Sequence, residues 1–178
     1  WEEILDKPIL LRILREFMFL DNEGKMIFPR YHQLRAVRKV EEDIAANGFG
    51  GRYLIWHSAG SGKTKTLTWV AERVKNMPGM NTVIVISDRT VINGQPAAEL
   101  TTVDAGTGVV KEMKSAAELK TFLDHGGYII ITTLQKFRDI IKELHNYPER
   151  NYAFVIDEAH SSMAGKSFSK VSETLAGK

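Results

Sequence analysis

Four short, continuously apolar runs alternating with helix-like stretches predict an α/β chain whose parallel sheet is covered on both faces. The runs are Tyr53–Trp56, Thr82–Ile86, Tyr128–Ile131 and Ala153–Ile156. A strand with one wet face would alternate apolar and polar residues, whereas an unbroken apolar run needs helices above and below it. Two polar strings follow two of these runs: Gly60-Ser61-Gly62-Lys63-Thr64 a few residues after the first and Asp157-Glu158-Ala159-His160 directly after the last. Ligands of open parallel sheets bind at the carboxyl ends of the strands, so both strings are placed for chemistry. The predicted class is a doubly wound α/β domain of the P-loop type.

The elements follow in order. Ile4, Leu5, Ile9, Leu10, Ile13, Leu14 and Phe17 recur close to every 3.6 residues, which predicts a lead-in helix within residues 4–20 starting near Pro8. Asp21-Asn22-Glu23-Gly24 has the composition of a turn. A second helix is predicted from Arg30 to Asn47, with Leu34, Val37, Val40, Ile44 and Ala45 on one face and Asn47-Gly48 closing it. Further helices are expected at Gly62–Met77, Ser115–Asp124 and Thr133–Leu144, and residues 93–110 read as irregular.

Composition narrows the classes. A chain of 178 residues suits one domain and buries roughly 70% of its unfolded surface. With 24 basic and 22 acidic residues, net charge gives no general adhesion to nucleic acid, so any DNA contact must come from local placement. The chain contains no cysteine, which excludes disulfides and cysteine-ligated zinc. The start, Trp1-Glu2-Glu3, is acidic where a secretory signal is basic. The apolar stretch Pro8–Leu20 is broken by Arg12, Arg15 and Glu16 and falls short of the ~20 apolar residues of a membrane span. The chain is expected to be soluble and cytoplasmic, with no membrane partner, and the lack of an initiator Met points to a segment of something longer.

Phosphates require many N–H donors and no side chain in the way. A glycine-rich turn opening a helix supplies both, with the positive end of the helix dipole beneath the anion. Ser58 to Thr64, with Thr66, form the candidate nucleotide-binding segment: Ser58, Ala59, Gly60, Ser61 and Gly62 make the turn, Lys63 reaches the β- and γ-phosphates, and the Thr64 hydroxyl binds Mg²⁺. The strict pattern asks for glycine where this chain has His57, so the shorter GSGKT core carries the reading. Asp157 would share the Mg²⁺ shell with Thr64, and Glu158 would orient or deprotonate the attacking water. His160 would sense the γ-phosphate, or would be a hydrogen-bonded surface histidine. Lys63, Asp157 and Glu158 are thus the candidate catalytic residues, with ATP and Mg²⁺ as the expected ligands. GTPase chemistry is disfavoured, because the chain has no Asn-Lys-x-Asp string.

With these strings in place, the chain resembles the first RecA-like lobe of superfamily 2 helicases and translocases. More narrowly, it resembles the motor (R) subunit of type I restriction enzymes. The residues that carry the narrower likeness are Phe28-Pro29-Arg30-Tyr31-His32-Gln33-Leu34-Arg35-Ala36-Val37, Trp56 to Thr64, Asp88-Arg89-Thr90-Val91-Ile92-Asn93-Gly94-Gln95, Ile131 to Phe137, and Asp157 to Ser162. The likeness runs from about residue 8 to 163. It implies that Gln33 reads the adenine edge, where the residue alone would be a polar group on an exposed helix face. It implies that Asp88, Arg89, Thr132, Thr133, Gln135 and Lys136 touch the DNA backbone. Phosphate contacts of that kind position a motor without reading sequence. Without the likeness, Thr132-Thr133 is a strand-to-helix cap and Lys136 a solvated charge.

The resemblance also implies ATP-driven movement along duplex DNA, modification and specificity subunits as partners, and a second RecA-like lobe and a nuclease domain elsewhere in the parent chain. Residues 1–25 would then be a linker helix region and residues 26–178 a partial first lobe. The nuclease domain of such chains lies upstream of the motor, so no DNA cleavage is expected here. In such motors the strand after DEAH inserts between the phosphate-loop strand and the DEAH strand. Ser161–Lys178 contain no apolar run to form it, so the sheet is expected to be incomplete at its C-terminus, and the isolated segment to be marginal and slow at turnover. Two other readings stay open: a helicase of another superfamily 2 branch, and a nucleotide-binding scaffold without turnover.

Overall fold

The structure is a computed structural model and describes residues 2–21, 23–87, 109–113, 115–144 and 146–157. Two helices, α1 (Glu2–Leu5) and α2 (Lys7–Glu16), lead into a two-stranded antiparallel ladder, β1 (Phe19–Leu20) with β2 (Met26–Ile27). Helices α3 (Tyr31–Asn47) and α4 (Lys63–Lys75) follow, then strand β3 (Met80–Ser87). Beyond it come β4 (Val110–Glu112), α5 (Ala116–His125), β5 (Ile129–Thr133), α6 (Leu134–Leu144) and β6 (Asn151–Ile156). The four long-range strands form a parallel sheet in the order β4-β5-β3-β6.

The unbroken apolar runs have the predicted consequence. In β3, Val83 and Val85 face one side and Ile84 and Ile86 the other, all essentially solvent-free. The first side packs on α2, α3 and α4 through Ile13, Leu34, Val37, Trp69 and Val74. The second packs on α5 and α6 through Leu119, Leu123, Ile140 and Leu144. The chain is therefore the three-layer α/β arrangement its sequence predicts, a RecA-like P-loop fragment. Among the described residues no helix is long and apolar enough to cross a membrane.

The helix boundaries follow local chemistry. α2 opens with Pro8 in its first turn, where the missing N–H has no partner to lose. α3 ends at Gly48, whose N–H donates to the Ile44 carbonyl. Ser115 caps α5 by accepting from the Glu118 N–H. In the turn before β2, the Asp21 carboxylate accepts from the Glu23 and Lys25 N–H groups, while Gly24 takes φ +74°. That turn makes β1 and β2 a hairpin pairing Phe19 with Ile27, so the ladder crosses the expected boundary at residues 25/26.

The lead-in helix is also part of the core. Ile13 and Phe17 are buried, and the Trp69 indole N–H donates to the Phe17 carbonyl at 2.9 Å. Arg12 and Arg73 lie 5.9 Å from the centroid of the Phe17 ring. The same two guanidiniums hold Glu16 and Glu41: Arg12 at 2.8 and 2.6 Å, Arg73 at 2.9 and 2.7 Å. This four-charge ring ties α2 and α3 to α4.

One element departs from expectation. Tyr53–Trp56, predicted as a strand, is not paired in the sheet. Leu54 is 74% and Trp56 87% exposed. An apolar run becomes a strand only when it pairs with a ladder edge, and among the described residues this run has no such pairing. The run is tied instead to α3, where the Tyr53 hydroxyl donates to Asp43 at 2.7 Å. Burial and the Asp43 carboxylate push the Tyr53 phenol up to about 12. The short strand β4 was not foreseen; its first residue lies at the end of the stretch read as irregular, most of which is outside the described residues.

Candidate functional site: the phosphate loop and the carboxyl end of the sheet

The loop before α4 is built for an anion. Gly60 and Gly62 both take positive φ, +74° and +84°, a conformation that L side chains rarely adopt. Gly62 is the N-cap of α4 and, having no side chain, leaves the helix N-terminus uncapped from above. Lys63 and Thr64 are the first two residues of the helix, both half-buried. Ser61 closes the turn, its hydroxyl and N–H both donating to the Ser58 carbonyl. Ser58, Ala59 and Gly60 are exposed on the outer rim. The arrangement fits the phosphates of a nucleotide, with backbone donors and the helix dipole at the loop and Lys63 in the first turn.

Topology brings Asp157 to the same end of the molecule. α4 leads into β3 through the tight turn at Met77–Gly79 and packs along the sheet, so it runs against the strands and its N-terminus lies at their carboxyl end. β6 is parallel to β3, and the Asp157 N–H donates to the Ile86 carbonyl at 2.9 Å, one step past the last strand pair. Thr64 and Asp157 are the residues that could hold a Mg²⁺ ion. Such an ion would take its remaining oxygen ligands from the phosphates and water. Glu158, His160, Asp88 and Arg89 lie outside the described residues.

The structure places Gln33 and Thr66 against the loop. Gln33, read as an adenine contact, is 2% exposed and faces the loop. Its Nε2 donates to the Gly62 carbonyl at 2.9 Å and to the Ser61 carbonyl at 3.4 Å, while its Oε1 accepts from the Arg30 N–H at 2.8 Å. The side chain spans α3 and the loop, and a Cβ on Gly62 would come within 2.6 Å of its Nε2. Thr66 is buried, and its hydroxyl donates to the Gly62 carbonyl one turn back. Helical threonines commonly bond this way, so Thr66 supports the loop from beneath.

Of the expected DNA contacts, Thr132, Thr133, Gln135 and Lys136 fall among the described residues. Thr132 is buried at 1% exposure, because its even position on β5 points it into the α5–α6 face. Thr133 is half-buried at the end of β5, and Gln135 is the second residue of α6. Lys136 is half-buried, with its ammonium donating to the Met113 carbonyl at 3.0 Å and bracing the β4 edge.

Two residues without an assigned role join the site. His32 Nε2 lies 3.1 Å from the Ser61 carbonyl. A carbonyl only accepts, so this nitrogen carries the hydrogen. Its ring meets that of His57 edge to face at 4.8 Å between centroids. His57 stands where the strict phosphate-loop pattern has glycine, and its Nδ1 is buried without a partner. Burial, then the nearby His32 and Lys63, lower the His57 pKa, so this ring is held neutral beside the loop. His32 was legible only as the neighbour of Gln33 in the first turn of α3.

The comparisons with known proteins agree with this geometry. The profile of the SWI2/SNF2 ATPase family matches residues 32–177, most of the chain. The type I restriction enzyme HindI endonuclease subunit of Haemophilus influenzae is 31% identical over 176 residues, covering 88% of this chain and 16% of that protein. The SauCOLORF180P endonuclease subunit of Staphylococcus aureus is 26% identical over 161 residues, covering 88% of this chain and 17% of that protein. The carboxyl-terminal part of a putative type I restriction enzyme MpnIIP endonuclease subunit, from Mycoplasma pneumoniae, is 25% identical over 185 residues, covering 95% of this chain and 89% of that protein. The chain thus spans less than a fifth of the Haemophilus and Staphylococcus relatives. A P-loop opening a helix, an aspartate at the neighbouring strand end and a profile match across both place the chain in the SWI2/SNF2 ATPase family of ATP-hydrolysing enzymes.

Proposed function

We propose that this chain is the ATP-binding first lobe of a motor that moves duplex DNA within a type I restriction endonuclease, and that it contributes no nuclease. The observation that carries the reading is the meeting of the phosphate loop and Asp157 at one end of the sheet. Catalysis of phosphoryl transfer is mostly positioning and charge stabilisation, and each residue fits such a part. The N–H groups at the start of α4 cradle the phosphates, and Lys63 offsets the charge that develops as the terminal phosphoryl group leaves. Thr64 and Asp157 would hold a Mg²⁺, which when bound would supply charge neutralisation for the phosphates. Glu158 orients the attacking water and takes its proton. Partner modification and specificity subunits, a second lobe and a nuclease domain complete the complex.

The relatives' printed names support the restriction context, and the family profile supports ATP use. The test is ATP hydrolysis by the full-length motor chain, with and without its partner subunits, on linear duplex DNA. Duplex-stimulated turnover that needs the partners and disappears in Glu158→Gln is expected. Stimulation by RNA or single strands instead would assign the chain to another helicase branch. Tight binding with no turnover would make it a scaffold.

A further inference from the structure

His57 opens the phosphate loop at the position where the strict pattern has glycine, and its ring is held among bases. The His32 ring of α3 meets it edge to face at 4.8 Å between centroids. His32 is itself pinned there, because its Nε2 donates to the Ser61 carbonyl at 3.1 Å. Lys63, the first residue of α4, is the other charged group that acts on the ring. His57 is half-buried, and its Nδ1 is closed to solvent without a hydrogen-bond partner. A proton on this ring would therefore be poorly hydrated and would add positive charge beside two more bases. Burial first, then His32 and Lys63, disfavour it.

The electrostatic part of that balance reverses when an anion arrives. A polyphosphate at the start of α4 offsets the charge of Lys63 and brings negative charge of its own, which favours a protonated imidazole nearby. A group that becomes more basic on binding takes up a proton, and by linkage the ligand binds more tightly as pH falls.

We propose that His57 is a proton-linked binding residue of the phosphate loop, neutral in the free protein and protonated when a polyphosphate fills the loop, so that nucleotide binding takes up a proton from solvent. This rests on the reading of residues 58–64 as the nucleotide phosphate site. A glycine at position 57 could bind phosphate but could not supply this charge. The histidine supplies it only when the ligand is there to offset it, which spares the free protein an unpaired, poorly hydrated cation. The gain grows with the negative charge that arrives, so it favours a triphosphate over a diphosphate and ignores the base.

The experiment is calorimetric titration of the full-length chain with ATP at saturating Mg²⁺, at pH 7.5 and at pH 6.0. Running each titration in two buffers of different protonation enthalpy counts the protons taken up. Saturating Mg²⁺ keeps the ligand's own phosphates deprotonated across this range. Affinity is expected to be about fivefold higher at pH 6.0 than at pH 7.5, with net proton uptake. ADP is expected to show a smaller gain. In His57→Gln both the pH dependence and the uptake should vanish while binding persists. His57→Gly, which restores the strict pattern, gives the same reading should the glutamine variant fold poorly. Lys63→Ala is the control for the site: if it keeps parental affinity at both pH values, the phosphate-site reading itself fails. With that control behaving, a parental affinity independent of pH would overturn the proposal. Uptake and pH dependence that survive in both His57 variants would also overturn it, by placing the proton on another group.

Discussion

The phosphate loop hangs between two helices, whereas Asp157 stands at the end of a strand inside a sheet. On the helix side, α3 grips the loop through His32 and Gln33, and α2, α3 and α4 are joined by Trp69 and the Arg12–Glu16–Glu41–Arg73 ring. On the sheet side, β6 is registered residue by residue on β3, and the Asp157 N–H continues that ladder. Both halves follow apolar runs of similar composition, Tyr53–Trp56 and Ala153–Ile156, yet only the second is paired. An apolar run supplies a motive for burial, and the neighbouring edge decides whether burial takes the form of a strand.

The helix side can be broken most strongly at Trp69, which is solvent-free and holds both Phe17 and Phe19 rings. Trp69→Ala is expected to cost about 3–5 kcal/mol in urea unfolding, and a loss under about 1 kcal/mol would show that α2 is not integral to the core. Next comes the functional half of the contrast. Lys63→Ala should lower ATP affinity about a hundredfold while the unfolding midpoint stays put, because it removes a charged phosphate contact and little packing. Retained affinity, by calorimetry, would mean the nucleotide sits elsewhere. Glu41→Ala leaves the partly exposed Arg12 and Arg73 with Glu16 alone and is expected to cost about 1–3 kcal/mol. The neighbouring exposed Glu42→Ala should cost at most about 0.5 kcal/mol, so equal losses would remove the ring's special role.

Two smaller effects sharpen the contrast. The His57 pKa is lowered in the fold, so the unfolded chain binds the proton more readily. Stability from this group is then full above the ordinary histidine range, about 6.5, and falls as pH drops below it. Melting curves from pH 7.5 to 5.5 should show a smaller decline in His57→Gln than in the parent, and identical slopes would remove His57 as a contributor. Last, Trp56→Ser should change stability by no more than about 0.5 kcal/mol, because its side chain is exposed. A larger loss would mean that the run is covered in the full-length protein and that its exposure belongs to this segment alone.

Much of the fold was readable because its signals are local. Three of the four apolar runs became β3, β5 and β6, and the Gly48 and Ser115 termini sit within one or two residues of expectation. The phosphate loop was legible for the same reason: glycine at φ +74° and +84° followed by Lys-Thr at a helix start is a short-range device. What escaped the sequence depends on which elements meet. Arg12 and Arg73 are 61 positions apart and share Glu16 and Glu41 only because α2 lies across α3 and α4. The burial of Thr132 and the engagement of Lys136 with Met113 likewise follow from the order β4-β5-β3-β6, which no stretch of residues spells out.

By itself the sequence determined the class of the fold, the position of the phosphate loop and the charge chemistry on offer, since backbone conformation, hydrophobic period and residue type are properties of neighbours along the chain. Only the tertiary structure decided that Gln33 faces loop carbonyls, that His32 joins it, and that Tyr53–Trp56 is unpaired. Those outcomes turn on whether a donor, an acceptor or a strand edge from a distant element arrives within hydrogen-bond reach, and the free energy of burial is settled by that meeting.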